Sequence, residues 1–397
     1  MNRNAIVIGS NYSTSLGVIR SLGEAGYCVY LYYITSKHNG SKIAAVSRYV
    51  VKVVEHYNHR EDEIINQLIQ LYSSLENTVM IPTDDFSSML ISRYEKVLSK
   101  YFNIPYIGNG PYLVEKLMDK SLQNDIAKEH GIKAAKSWRL SYKSKGYDIP
   151  ADIKFPCFLK PLASYNGGKS GMIRVNDVAT LNKQLDNFHD DARKLDIILQ
   201  GFLSIQVEYS ISGVCLGKQV IMPSLLTKLK ISKYKPGVTI LGRIDNIDII
   251  GHLRIDISEM LSSFDYYGLF DLELFKCEEE YYFNEINFRC SSICHIVTEA
   301  GVNLPAILAD YLLFDRQPVV NQIEPGRIFI SEKVAYEDEI AGYLSKSDLD
   351  ECKSNASIYN IKNNLDPKPE KAFLIKMRGQ KSKRRIKEFI QRLISKA

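Results

Sequence analysis

The chain has 397 residues, 45% hydrophobic and 24% charged. That balance suits a globular protein of two or three packed domains and excludes a disordered chain. Its seven cysteines, odd in number and without framework spacing, fit a reducing cytoplasm and exclude a disulfide-stapled secreted domain. The net charge of +5 is uneven: from Lys371 to Ala397 ten basic residues face Glu388 alone, leaving 41 basic against 45 acidic residues elsewhere, and this slightly acidic body lacks the basic surface by which a folded protein tracks nucleic acid.

The apolar stretch Ala5–Ile8 is too short for a signal peptide and reads as a buried strand. A helix over Leu16–Glu24 follows, closed by Gly26, then strands over Cys28–Ile34 and Tyr49–Val54. A helix over Glu61–Tyr72, a strand over Thr78–Ile81 and a helix over Met89–Leu98 complete this third of the chain. Such alternation builds a parallel sheet covered on both faces, with the loops Gly9–Ser15 and Thr83–Asp85 opening into one crevice. A dinucleotide site is excluded. No glycine stands between Gly9 and Gly17, so the close G-x-G-x-x-G spacing is missing, and Tyr32-Tyr33-Ile34-Thr35 lacks a carboxylate for a ribose.

A helical pattern over Val114–His130 ends at Gly131, and the polar stretch Lys143–Pro150 reads as an exposed connection. Strand pairs follow, Cys157–Pro161 with Gly171–Val175 and Glu208–Val214 with Val220–Pro223, so this region is α+β with antiparallel sheet. No run of eighteen apolar residues suits a membrane span.

Three constellations carry chemistry. In the first, an apolar strand delivers Lys160 and a glycine-rich turn containing Gly167-Gly168 comes within eight residues. Backbone N–H groups freed by glycine converge on phosphate oxygens and an ammonium adds charge; a plain hairpin is the other reading. In the second, Gln200-Gly201-Phe202-Leu203 follows an apolar strand and offers backbone groups to an adenine edge. Glu208 either accepts from ribose hydroxyls or simply opens a surface strand.

The third is the strongest. In Tyr281–Arg289 the strand period of two sets Glu285 and Asn287 on one face and Ile286 and Phe288 on the other. Charge on a half-buried strand is costly unless paired. A hairpin turning near Glu278–Glu280 brings Glu273 opposite Glu285 if its loop has three or five residues; a four-residue loop pairs Glu273 with Asn284. Two carboxylates and an amide oxygen form a hard-oxygen site for Mg²⁺, and Arg289 faces the same way. Cys290, Cys294 and His295 lack a second ligand pair at zinc spacing.

In this order the three sets resemble the ATP-grasp superfamily over most of the chain, with the carboxylate–amine ligase branch, carbamoyl-phosphate-synthase-like and D-aspartate-ligase-like, the most similar. The resemblance implies an N-terminal parallel-sheet pre-ATP-grasp α/β domain (1–110), an ATP-grasp domain with antiparallel sheets holding nucleotide and metal (111–330), and a C-terminal extension (331–397). It implies ATP and Mg²⁺, with Mn²⁺ as the alternative ion. It further implies Lys120 and Lys160 on phosphates, and Gly167 and Gly168 in a loop closing over them. Gln200, Phe202 and Leu203 fall at the adenine hinge, Glu208 at the ribose, Glu273, Glu285 and Asn287 on metal, and Arg289, Lys160 and Lys230 in catalysis. Substrate recognition falls near Ser10-Asn11, Asp84-Asp85 and Lys230. Phe288 and Gly201 depart from the family's usual proline and glutamate.

The implied function is an ADP-forming ligase that activates a small carboxylate and joins it to an amine. Bicarbonate chemistry is the alternative within enzymes, and a non-catalytic ATP-binding module at a membrane surface the alternative outside them. In the tail, Ile386, Phe389, Ile390, Leu393 and Ile394 share a helical face opposite Lys383, Arg384, Lys387 and Arg392. Such a basic amphipathic helix docks on its own protein or on an anionic membrane. Small-molecule substrates are the expected partners, with a homodimer admitted and nucleic acid not.

Overall fold

The computed structural model describes residues 3–35, 42–106, 110, 112–143, 146–162, 173–190 and 196–394. The first sheet is parallel, in the order β3-β2-β1-β4, from β1 (Asn4–Gly9), β2 (Cys28–Ile34), β3 (Val50–His56) and β4 (Thr78–Pro82). Every residue of β1 is buried, as a strand covered on both faces requires. Helices α1 (Tyr12–Glu24), α2 (Lys42–Ala45), α3 (Glu61–Tyr72), α4 (Asp85–Arg93) and α5 (Glu95–Leu98) alternate with these strands. Alternate β1 residues feed two cores. Ile6 and Ile8 join Leu272, Ile286 and Phe288, while Ala5 and Val7 join Leu269, Ile296 and Phe329. The parallel sheet is therefore packed continuously with strands near the other end of the chain.

The helix expected over Val114–His130 is broken in two, α6 (Leu113–Leu117) and α7 (Lys120–Glu129). Asp119 is the reason: its carboxylate caps the second helix by accepting from the backbone N–H of Ser121 and Leu122, so the chain restarts there. Lys120 becomes the first residue of α7. The helix expected from Met89 starts earlier, at Asp85, because Asp84 and Ser87 form a reciprocal capping box.

A small antiparallel sheet runs β5-β10-β8-β9, from β5 (Ser137–Leu140), β8 (Cys157–Pro161), β9 (Ile173–Val175) and β10 (Ile197–Gly201). The ribbon β6 (Tyr142–Lys143) with β7 (Gly146–Tyr147) lies apart from it, and α8 (Val178–Asp190) packs on it, closing a core of its own around Trp138, Leu159, Leu185 and Leu199.

The large sheet has the order β16-β15-β11-β13-β14-β17-β18, with β12 beside β11. Its strands are β11 (Val207–Leu216), β12 (Gln219–Ile221), β13 (Leu225–Ile231), β14 (Thr239–Asp245), β15 (Tyr267–Cys277), β16 (Glu280–Asn287), β17 (Ile328–Ile330) and β18 (Ile358–Tyr359). Its helices are α9 (Leu253–Ser263), α10 (Cys294–Glu299), α11 (Leu304–Phe314), α12 (Glu332–Ala341), α13 (Lys346–Asn355) and α14 (Lys368–Ile394). Residues beyond 331 thus close onto this sheet through β18, which pairs β17 in parallel.

Arg20 and Asp366 tie the two ends of the chain together. Both are fully buried, with Arg20 Nε 3.1 Å from Asp366 Oδ2. Asp366 also accepts from the Ser47 hydroxyl at 2.7 Å and the Arg48 backbone N–H at 2.8 Å. Helix α14 is docked through Phe373 and Met377, while Ile386 further along is exposed. No helix among the described residues is long and apolar enough to cross a membrane.

Candidate active site

Strands β15 and β16 pair antiparallel with Asp271 opposite Asn287 and Glu273 opposite Glu285. The connecting loop has two residues, Glu278 and Glu279, and Glu278 adopts a positive φ of 55°. A loop of that length gives the ladder that would set Glu273 against Asn284. A bulge between Glu273/Glu285 and Leu274/Phe283 absorbs Asn284 as an extra residue and restores the carboxylate pair. The register therefore comes from a bulge rather than from the three- or five-residue loop expected. The Asn284 side-chain amide donates to Glu273 Oε2 at 3.2 Å, and its oxygen accepts from Lys160 at 3.4 Å.

These residues face a cavity of about 560 Å³ between the three sheets. Lys120, Lys160, Gln200, Leu203, Glu208, Glu273, Glu285, Asn287 and Arg289, all anticipated from sequence, line it together. Lys120 Nζ is 2.8 Å from Glu285 Oε2, and Lys160 donates to Gln200 on the neighbouring strand. Phe158, Leu203, Ile205, Val238 and Phe275 supply an apolar portion of wall. Phe202 does not line the cavity; its ring stacks 6.1 Å from that of Phe158, which does. Gly167 and Gly168 lie outside the described residues.

Lys230 is also absent from the wall, and Lys228 is there instead. The reason is a bulge at Leu229, where the ladder jumps from Lys228/Gly242 to Lys230/Leu241. Lys230 then acts on Asp348 and Cys352. Lys228 is nearly buried and sits 3.0 Å from Glu208 Oε2 and 3.6 Å from Glu273 Oε2. It also donates to the Gly237 carbonyl at 2.9 Å. One ammonium thus offsets two carboxylates that burial alone would penalise.

Asp271 was not picked out from the sequence, although it shares Glu273's face of β15 and lines the same cavity. The period of two around Glu273 was the available signal. Burial pushes its carboxyl up to about 6, and the neighbouring Glu273 adds to the rise. Arg289 and Lys228 oppose it, as does a hydrogen bond from the Ser212 hydroxyl at 3.2 Å.

The N-terminal sheet supplies the far wall through Asn11, Thr14, Thr83, Asp84 and Asp85. Close approach here requires Gly9, since a Cβ at that position would fall 2.1 Å from Thr83 Oγ1. Asp84 Oδ2 accepts from Ser10 through its backbone N–H and its hydroxyl, both at 2.6 Å. Asp85 Oδ1 receives Arg289 Nε at 2.7 Å, and the same guanidinium reaches Asn287 Oδ1 at 3.3 Å. Burial works against the charge on Arg289, but Asp85 and Asp271 more than offset it, leaving the guanidinium above its ordinary pKa. Among the described residues no three His, Cys, Asp or Glu side chains form a metal cluster. The oxygen-donor set on offer is Glu273 and Glu285 with the Asn287 amide.

Residues 125–301 match the model of the ATP-grasp domain. D-alanine–D-alanine ligase of Bacillus cytotoxicus is 26% identical over 204 residues, covering 48% of this chain and 56% of that protein. The C-terminal section of the carbamoyl phosphate synthase large chain of Aquifex aeolicus is 21% identical over 200 residues, covering 50% and 37%. The chain spans about half the length of the curated relatives it matches. Among solved structures, the L-amino acid ligase from Bacillus licheniformis superposes with a TM-score of 0.66 at 16% identity, over 82% of this chain and 79% of that one. The ADP complex of N5-carboxyaminoimidazole synthetase from Staphylococcus aureus gives 0.62 at 15%, over 87% of both. At these identities the likeness is one of fold.

Proposed function

We propose that this chain, whose residues 125–301 match the ATP-grasp domain, is an ADP-forming ligase that activates a small carboxylate with ATP and joins it to an amine. The observation that carries this reading is the bulged β15–β16 register, which gathers Glu273, Glu285 and Asn287 around the cavity that Lys120, Lys160, Lys228 and Arg289 also line. We divide the chain accordingly into 1–110, 111–330 and 331–397.

The apolar wall of Phe158, Leu203 and Phe275 receives the adenine, and Glu208 accepts from the ribose. Lys120 and Lys160 hold the phosphate oxygens. Glu273, Glu285 and Asn287 offer only oxygen donors, a set that suits Mg²⁺. When bound, that ion neutralises charge on the phosphates during transfer.

A carboxylate oxygen of the acid attacks the γ-phosphorus, and the bond from that phosphorus to the ADP oxygen breaks, giving an acylphosphate and ADP. The amine nitrogen then attacks the acyl carbon, phosphate departs with the bonding pair, and the amine loses a proton. Two displacements replace one difficult condensation. Arg289, fixed by Asp85 from the N-terminal sheet, stabilises negative charge on the acid as it develops, and a single such donor is worth about 10²–10³ in rate.

Hydroxylamine trapping tests the reading. With Mg-ATP and pooled carboxylic acids, hydroxylamine replaces the unknown amine and leaves a hydroxamate that identifies the acid. A hydroxamate that disappears in Glu285→Ala and on chelation of Mg²⁺ is the expected result. No hydroxamate from any acid, with Mg-ATP bound tightly, would overturn the reading and favour bicarbonate chemistry or a binding module.

A further inference from the structure

Helix α14 holds to the fold by one side only. Phe373 and Met377 are buried on that side, and Lys381, one turn further on, pairs with Glu339 of α12. At about 100° per residue, Ile386 comes about 180° round the helix from Met377. Ile375 falls within about 20° of Ile386 by the same register. Both point away from the protein, Ile375 being 69% and Ile386 59% exposed. The helix continues to Ile394, and its register places positions 390 and 393 within about 40° of position 386. The apolar stripe of the tail therefore extends the outward line, and the contact that fastens the helix lies on the opposite side.

Basic residues border this outward line. Lys383 and Lys387 flank it on one side, Arg378 and Arg385 on the other. All four are exposed, and none has an acidic partner among the described residues. A single exposed isoleucine is ordinary on a protein surface, but an apolar line bordered on both sides by unpaired cations fits one kind of partner. An anionic bilayer takes apolar side chains at the boundary of its acyl chains and pairs lysine and arginine with its headgroups. A second copy of the same helix would bring like charges together, and nucleic acid would leave the isoleucines in water. The charge is also local, since the residues before Lys371 carry 41 basic against 45 acidic side chains.

We propose that the second half of α14 lies flat on an anionic lipid surface, with the line of Ile386 entering the interface and Arg378, Lys383, Arg385 and Lys387 on the headgroups. The first half holds the folded body to this helix through Phe373 and Met377. The contact is peripheral, because no helix among the described residues is long and apolar enough to cross a membrane. It goes beyond the ligase reading and does not depend on it.

Co-sedimentation of the full chain with vesicles tests it. Vesicles of phosphatidylcholine mixed with phosphatidylglycerol are compared with vesicles of phosphatidylcholine alone, without nucleotide or substrate, so the outcome is separate from that of hydroxamate trapping. The expected result is binding to the anionic vesicles that weakens as salt is raised and is weak on the neutral ones. Lys383→Gln/Arg385→Gln/Lys387→Gln should bind at least about tenfold more weakly, with recovery in Lys383→Arg/Lys387→Arg, which keeps the charge. Ile386→Ser should also weaken binding, which attraction of charge alone would not require. All these positions are exposed, so thermal melting of each variant should match that of the wild-type chain. No binding to anionic vesicles, or equal binding by the wild-type chain and the Gln triple variant, overturns the proposal. Binding unchanged in Ile386→Ser overturns it as well, since the stripe would then not enter the lipid. A dimer in light scattering that is lost in Ile386→Ser assigns the stripe to a second copy, and tighter binding to duplex DNA than to anionic vesicles assigns the charge to nucleic acid; either result defeats the lipid surface.

Discussion

Glu273 and Glu285 face each other across β15 and β16, although the turn between the strands, Glu278-Glu279, sets the ladder one residue away from that pairing. Asn284 is the extra residue that makes the difference. Because it is squeezed out of the ladder, its amide is available to join Lys160 and Glu273. One residue thus sets the carboxylate pair and links it to Lys160, the lysine proposed to hold phosphate oxygens.

Asn284→Ala keeps the residue count, and with it the bulge and the carboxylate pair. It removes the bridge to two charged groups. Hydrogen bonds to charged groups contribute about 1.5–3 kcal/mol, so kcat/KM for ATP should fall roughly 10- to 100-fold. Steady-state kinetics at varied ATP would refute the bridge if the change were under twofold with the fold intact.

Lys228 and Lys230 give opposite expectations despite standing two residues apart. Lys228→Ala leaves the buried Glu273 and the half-buried Glu208 without their shared ammonium, a loss of about 3–5 kcal/mol for a broken buried pair, and ATP-dependent turnover should fall at least 100-fold. Lys230→Ala should stay within about threefold of wild type, since surface changes away from special features are usually small. Equal losses in the two variants would mean that the bulge at Leu229 does not aim Lys228 inward.

Arg20→Ala tests the clamp between the ends of the chain. It leaves Asp366 fully buried and takes away its charge partner, so stability should drop about 3–5 kcal/mol. Chemical denaturation reads this directly. A drop below about 1 kcal/mol would show that residues 360–366 release from α1 without cost, contrary to the buried geometry.

Glu332 gives the pH dependence its sign. Its carboxyl accepts from the backbone N–H of Ile361 and Lys362 at 2.9 and 2.8 Å. Burial nevertheless pushes it up from an ordinary 4.5 to about 7. A carboxyl raised on folding contributes stability that is fully present below pH 4.5 and lost as pH rises through 7. Glu332→Gln cannot ionise, so its melting temperature should fall less than that of wild type between pH 5 and 8. Parallel melting curves across that range would exclude Glu332 as the titrating group.

Much of this site was legible because its signals are local. A strand period of two is enough to put Glu285 and Asn287 on one face, and an apolar run is enough to mark the strand that carries Lys160. The parallel alternation of the first hundred residues follows from the same patterns. Boundaries were less legible: the caps Asp119 and Asp84 compete with helical periodicity, and a short side chain wins only where the backbone already turns. The motif order Lys120, Lys160, Gln200, Glu208, Glu273, Glu285 and Asn287 was set by the sequence alone. Tertiary structure decided which lysine of Lys228 and Lys230 enters the cavity, how Glu273 meets Glu285, and that Asp85 holds Arg289. The physical reason is common to all three. Periodicity constrains a residue relative to its own neighbours, whereas a bulge or an ion pair depends on which strand or helix lies opposite, and that is settled only when distant segments pack together.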